Sequence, residues 1–267
     1  GLTLGSAYFK LFRSELKLNI LSSLLDGDKK LGALRDELGS SGSTIIHALR
    51  DLEAMKLTQQ ENKHYKLTSL GVIEATLIGE AASAAEALER FQGFWLQHDV
   101  TAIPSHLLQR IGALRDSTLI QDNSTALDRV HVSFQRLLQQ SRRVWGMSPI
   151  FHSDFVGMFH SLLGGGATVD LILTSGVLDK TLTLADTGQI IDYVTRDKLR
   201  IFLTDGLGVA LTVTENSFSM GLYTIDGEYD YTRDLVSSSP EAIEWGEELF
   251  KHHLKQARRL DTETLNL

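Results

Sequence analysis

Ser43-Thr44-Ile45-Ile46-His47-Ala48-Leu49-Arg50-Asp51-Leu52-Glu53 is followed by Leu57-Thr58-Gln59-Gln60 and then by Tyr65-Lys66-Leu67-Thr68-Ser69-Leu70-Gly71. In the first run Ile45, Leu49 and Leu52 recur at helical spacing, while Ser43, Thr44, His47, Arg50 and Asp51 fall largely on other faces. The spacing predicts a helix over 43–55 with one apolar stripe and one polar edge. The two runs behind it read as short strands across Glu61-Asn62-Lys63-His64, whose Asn suits a tight turn. A hairpin placed directly after a helix reads as a wing.

Toward the amino end, Gly39-Ser40-Ser41-Gly42 is a turn of residues that tolerate unusual backbone angles. Leu31, Leu34 and Leu38 before it mark a short helix. Residues 14–25 carry Leu18, Leu21 and Leu25 with Ile20 and Leu24, a helical stripe that stops at Asp26-Gly27-Asp28. Helix, short helix, glycine-containing turn, helix and hairpin is the order of a winged helix-turn-helix. In the other direction, Ser69-Leu70-Gly71 opens a helix that continues through Ala- and Glu-rich sequence toward Arg90.

The run 43–53, Leu57 and the run 65–71 together resemble prokaryotic winged-helix repressors of the arsenic-repressor-like group. That resemblance implies a DNA-binding fold. Metal-sensing members of the group use Cys or His clusters, and this chain has no Cys, so metal sensing is not implied. A recognition helix must offer short polar and cationic groups to the major groove. Ser43 and Thr44 can donate to phosphate, as can the amides at the helix start. His47 and Arg50 are the candidates for base or phosphate contact. Lys63, His64 and Lys66 lie on or beside the wing, where contact with the DNA backbone is expected. Each of them also reads as a solvated surface residue, and His47 reads first as one that caps or packs. Double-stranded DNA is the expected partner because of the order of the elements.

A length of 267 residues with 42% hydrophobic content and three prolines fits a folded chain of more than one domain. The absence of cysteine excludes disulfides, thiolate zinc sites and iron–sulfur clusters, and no cofactor is expected. No apolar run reaches the ~18 residues of a membrane helix, so the expectation is a cytoplasmic protein. The net charge of −8 is unevenly spread. Residues 1–70 carry ten Lys/Arg against eight Asp/Glu, and the remainder sixteen against twenty-six. The reading divides the chain into a winged helix-turn-helix domain at 1–78, a helical connector at 79–122 and an α/β domain at 123–267. The connector's Leu88, Phe91 and Trp95 make an apolar stripe. That stripe serves equally as a homodimer contact or as packing against the second domain. His98 and His106 lack metal-ligand spacing and read as structural or capping residues.

In the last domain, helices are expected at 124–140, 151–163, 177–182, 189–194 and 239–260. Strands are expected at 144–147, 169–173, 199–203, 209–213 and 218–223. The first three strands alternate with helices and predict parallel pairing, and the last two an antiparallel pair, giving a mixed sheet. His98-Asp99…Ile103-Pro104, Gly146-Met147-Ser148-Pro149…Phe155 and Leu171-Ile172-Leu173-Thr174 resemble the sensor domain of archaeal two-domain winged-helix regulators of methanogenesis. Gly221-Leu222-Tyr223…Asp226-Gly227…Tyr229-Asp230 and the run Glu241 to Phe250 extend the likeness. It implies a transcription factor whose α/β domain is distantly similar to phospholipase-D-like domains.

That catalysis needs His-x-Lys-x-x-x-x-Asp twice. Here His253-Leu254-Lys255 is followed at the required place by Leu260, with Asp261 one residue late. With no nucleophile elbow or P-loop either, an enzyme is not expected. Ligands of open α/β sheets lie beyond the carboxyl ends of parallel strands. Those ends offer Ser148 with Phe151 and His152, Thr174, and Thr204 with Asp205 as candidate effector-binding residues, each of which singly reads first as an ordinary loop or cap residue. The function expected is a DNA-binding regulator whose second domain senses a small molecule or a partner. The alternatives are a protein-interaction module in that domain, or a hydrolase.

Overall fold

The computed structural model describes residues 5–265, which divide into two compact units, Gly1–Ser83 and Ala84–Leu267. Residues 1–4 and 266–267, the outer limits of the expected domains, lie outside the described residues.

The first unit contains α1 (Ser6–Phe12), α2 (Glu15–Leu25), β1 (Lys29–Lys30), α3 (Leu31–Leu38) and α4 (Gly42–Ala54). It continues with β2 (Thr58–Glu61), β3 (His64–Leu67) and the start of α5 (Ser69–Arg90). Gly39, at φ 62°, closes α3 in the left-handed conformation that glycine adopts without steric cost. Ser41 then caps α4, its Oγ accepting from the Thr44 amide at 3.2 Å. The helix therefore starts one residue earlier than the apolar periodicity indicates. Its stripe of Ile45, Leu49 and Leu52 is buried with Ile20, Leu21 and Leu34. Each such side chain stabilises the fold by roughly 1.5–3 kcal/mol.

The wing is an antiparallel sheet in the order β1-β3-β2, with Gln59 opposite Lys66. Its turn places both Asn62 (φ 51°) and Lys63 (φ 63°) in the left-handed region, which suits the twist of a two-residue hairpin. Strand β1, two residues long and charged, has no hydrophobic pattern to announce it. The chain then folds tightly back. A Cβ on Gly71 would lie 1.9 Å from the Leu57 carbonyl oxygen, so α5 can begin against β2 only with glycine there.

The second unit opens with α6 (Gln92–Gln97), α7 (Ser105–Leu108), a 3-10 turn (Ile111–Leu114) and β4 (Thr118–Gln121). Then follow α8 (Arg129–Gln139), β5 (Arg143–Ser148), α9 (Asp154–Gly164), β6 (Thr168–Thr174), α10 (Ser175–Leu184) and α11 (Thr187–Thr195). The unit ends with β7 (Leu199–Thr204), β8 (Val209–Thr214), β9 (Phe218–Leu222), β10 (Arg233–Ser237), α12 (Pro240–Leu254), β11 (Arg258–Arg259) and α13 (Thr262–Leu265). Among the described residues the strands form one eight-stranded sheet in the order β11-β7-β6-β5-β8-β9-β10-β4. The β5-β6-β7 centre is parallel and the remaining pairs are antiparallel. The expected mixed sheet is therefore present.

Alternation along the strands sends side chains to two faces. Met147, Ile172, Leu211, Phe218 and Met220 go to one, where they pack with Trp245, Leu249 and Phe250 of α12. The same core takes Phe91, Phe94, Ile103, Leu107 and Leu114, so residues read as connector belong to the packing of this unit. Trp245 donates its ring N–H to the Leu107 carbonyl at 2.9 Å. On the other face Val144, Val169, Leu173, Leu199 and Ile201 lie under α9, α10 and α11.

Several expected bounds shift. The helix expected at 124–140 is α8 and begins at Arg129; that at 151–163 begins at Asp154; the last ends at Leu254 rather than 260. Strands β4, β10 and β11 are additional. Thr118–Gln121 and Arg233–Ser237 bury little and carry polar residues, because both sit toward one edge of the sheet. Among the described residues no helix is long and apolar enough to cross a membrane.

Candidate nucleic-acid interface and ligand cavity

The candidate DNA-contacting residues lie on α4 and the wing. Ser43, Thr44, His47 and Arg50 are exposed, while Ile45, Ala48 and Leu49 between them are buried. This follows from the period of the helix: the residues that hold α4 to the unit leave the opposite edge in water. The Thr44 hydroxyl lies 2.7 Å from Ser41 Oγ, and the Ser43 hydroxyl 3.1 Å from it, so a small hydroxyl cluster marks the helix start. Asp51, also exposed, is held by Lys17 at 2.7 Å. Arg50 and Lys63 form no ion pair or side-chain hydrogen bond among the described residues. Lys66 differs, because it pairs with Glu61 on the neighbouring strand. His64 Nδ1 lies 3.1 Å from the Asn62 carbonyl and braces the wing turn.

The second unit encloses a cavity of about 590 Å³ on the helix-covered face of its sheet, within the size range of small-molecule sites. The cause is visible strand by strand. On β8 and β9 the large residues all turn to the α12 face, and the helix face receives Ala210, Thr212, Ser219 and Gly221. Small side chains there leave the space unfilled. Phe134 of α8, Phe151 of the loop before α9 and Phe155 of α9 roof it, with Phe134 and Phe155 rings 5.4 Å apart.

The polar end of the cavity is acidic and aromatic. Asp122, Tyr229, Tyr231 and Asp234 line it. Ser219 Oγ donates to Asp234 Oδ2 at 3.3 Å, whereas the buried Oδ1 has no partner. Burial pushes the Asp234 carboxyl up to about 7; the Ser219 hydrogen bond opposes this and the charges of Asp230 and Asp122 add to it. Burial likewise raises the Tyr229 phenol well above its usual value, with Asp234 and Asp230 contributing. Gly221 makes this possible: a Cβ there would lie 2.3 Å from Tyr229 Oη and 2.6 Å from Asp234 Oδ1.

Neighbouring Asp230 is built the opposite way. It receives Arg233 Nε at 2.7 Å, His98 Nε2 at 2.8 Å and the Thr232 amide at 2.9 Å. Burial works to raise this carboxyl, but those hydrogen bonds outweigh it and hold the group at about 2. His98 is buried, with Nδ1 also 2.7 Å from the Phe94 carbonyl, which makes it a residue of the framework.

Of the candidate effector residues, Ser148, Phe151 and His152 line the cavity. Ser148 Oγ also donates to the Ile150 carbonyl at 2.6 Å. Thr174 caps α10, and Thr204 and Asp205 line a separate surface cleft, so those three lie apart from it. His131 lines the cavity beside His152, and with Asp154 the two imidazoles bring their ligating atoms within 4.8 Å of one another. His131 Nε2 is 2.9 Å from Asp154 Oδ2. Sequence reasoning missed Asp234, Tyr229, Ser219 and Gly221. The signal was present in the alternation of Ala210 and Thr212 with Val209, Leu211 and Val213, repeated by Ser219 and Gly221 against Phe218, Met220 and Leu222.

Residues 9–84 match the family model described as methanogenesis regulatory protein FilR1, N-terminal domain, and residues 127–256 match its middle domain. Over 256 residues the chain is 32% identical to the methanogenesis regulatory protein FilR1 of Methanothrix harundinacea (strain 6Ac), covering 93% of this chain and 56% of that protein. The chain thus spans about half the length of that relative. Among solved structures, TrmBL2, described as an archaeal chromatin protein with a novel mode of DNA binding, aligns at TM-score 0.44 and 14% identity, covering 94% of this chain and 98% of that one. Phosphatidylserine synthase of Haemophilus influenzae Rd KW20 aligns at TM-score 0.42 and 11% identity, covering 74% and 56%. Likeness at that level carries no argument about function. Through these two segments the chain is similar to the N-terminal and middle domains of the methanogenesis regulatory protein FilR1.

Proposed function

We propose that the chain is a DNA-binding transcriptional regulator whose second unit binds a small-molecule effector in its cavity. The observation that carries the first part is the exposed edge of α4, where Ser43, Thr44, His47 and Arg50 stand in water beside a wing with an unpaired Lys63. The matched N-terminal domain and the 32% identical regulatory relative support the same reading. In it, the hydroxyls and amides at the start of α4 take phosphate, Arg50 and His47 reach the groove, and Lys63 contacts the backbone. The acidic balance beyond residue 70 means that binding depends on these local cations.

A homodimer is part of the proposal, since paired winged helices read a two-fold operator. Its support is the apolar surface of α5, where Ile73 and Leu77 are 60% and 61% exposed. The effector reading rests on the cavity, whose apolar walls and few polar groups have the make-up of a small-molecule site. Selection of bound genomic fragments, followed by titration of a recovered duplex, tests the proposal. The Arg50→Ala, Lys63→Ala double variant should bind that duplex more weakly, with a salt slope shallower by about two. Unchanged affinity and slope would remove this interface. A monomer at every concentration in sedimentation would remove the dimer.

A further inference from the structure

The cavity's charge is one-sided. Among the described residues lining it, three carboxylates are present (Asp122, Asp186 and Asp234) and no Lys or Arg. Arg233, which adjoins Asp234 in the chain, is committed to Asp230 and Gln97. Asp122 is occupied in part, its Oδ1 accepting from the Val130 amide at 2.9 Å. Asp234 is left with one weak hydrogen bond from Ser219 and an oxygen without a partner. A carboxyl in that position is costly unless something completes it. Its surroundings indicate what does. Tyr229 and Tyr231 line the same end with rings 5.2 Å apart and perpendicular, and the negative faces of such rings attract an organic cation.

Resting on the reading of this cavity as an effector site, we propose that its ligand is an organic amine: a protonated nitrogen set between Asp234 and the Tyr229–Tyr231 pair, carried on an apolar body that fills the phenylalanine-lined space. The geometry selects against phosphate- and carboxylate-bearing metabolites, because no Lys or Arg is among those lining residues and the lining imidazoles are engaged, His131 and His152 with Asp154 and His160 with Tyr193. Ser219 and the Tyr229 hydroxyl, which lie beside Asp234, are placed to orient the head group. Gly221 is positioning rather than contacting: its missing side chain lets the phenol and the carboxyl converge.

The test compares three head groups on one body. Isothermal titration of the full chain with 2-phenylethylamine, 2-phenylethanol and phenylacetate at pH 8 should rank the amine at least tenfold tighter than the alcohol, with phenylacetate weakest. Asp234→Asn should bring the amine down to the alcohol's affinity and leave the alcohol unchanged, which also shows that the variant keeps its cavity. If phenylacetate or the alcohol equals the amine on the unaltered chain, or if Asp234→Asn retains the preference, the amine inference is overturned and the effector cavity stands. If none of the three produces binding heat at millimolar concentration, the effector reading falls and takes the inference with it.

Discussion

At the scale of single residues, two neighbouring aspartates make opposite demands on pH. Asp234 is held at about 7, against about 3.9 for an unfolded chain, so the fold prefers its neutral form. That preference contributes fully below pH ~4, declines as pH rises, and is lost through pH ~7; the difference is roughly 4 kcal/mol at most. Asp234→Asn abolishes the dependence. Denaturant titration should find the variant close to the unaltered chain near pH 4 and more stable than it at pH 8. Equal stability at both values would mean that Asp234 is not held neutral. Asp230, held at about 2, contributes above pH ~4 and loses that contribution as pH falls through 2. Removing its carboxyl strands Arg233 and His98, so Asp230→Ala should destabilise by roughly 3–5 kcal/mol at neutral pH. Neither role is legible in the sequence. Tyr229-Asp230 and Arg233-Asp234 look alike as polar loop and edge residues. Their difference lies in the convergence on Asp230 of Thr232, Arg233 and the distant His98, and in the lack of any basic partner for Asp234.

At the scale of elements, α4 and the wing were readable and the edges of the large sheet were not. Ile45, Leu49 and Leu52 carry a helical period in a contiguous window, and Asn62-Lys63 a turn, so local chemistry suffices. The helix starts at Gly42 rather than at 43 because Ser41 accepts the capping bond. Ser41→Ala should cost about 1 kcal/mol by thermal unfolding and weaken DNA binding, since Thr44 and Ser43 lose their shared hydroxyl partner. On the wing the two lysines should separate. Lys63 is unpaired, and Lys66 is tied to Glu61, so Lys63→Ala should reduce duplex affinity more than Lys66→Ala in fluorescence titration. The reverse order would move the backbone contact to β3. Strands β4, β10 and β11 gave no such signal, because strands at or next to an edge bury few residues and their identity depends on the strands they meet.

At the scale of the whole molecule, the buried cores are composed separately. One is made within residues 11–78 and the others within 91–265. Calorimetry should therefore resolve two unfolding transitions, and 2-phenylethylamine should raise the one belonging to the second unit. A single transition that shifts as one would show that the units unfold together. The sequence by itself determined the winged helix, the parallel centre of the second sheet and the exposed edge of α4, because those depend on periodicity and turn chemistry within a dozen residues. Only the tertiary structure decided that small residues of β8 and β9 face an unfilled space, and that Asp234 stands there without a counter-charge. Those are properties of what distant segments leave empty and unpaired, and a pattern along one strand does not specify its neighbours across the sheet.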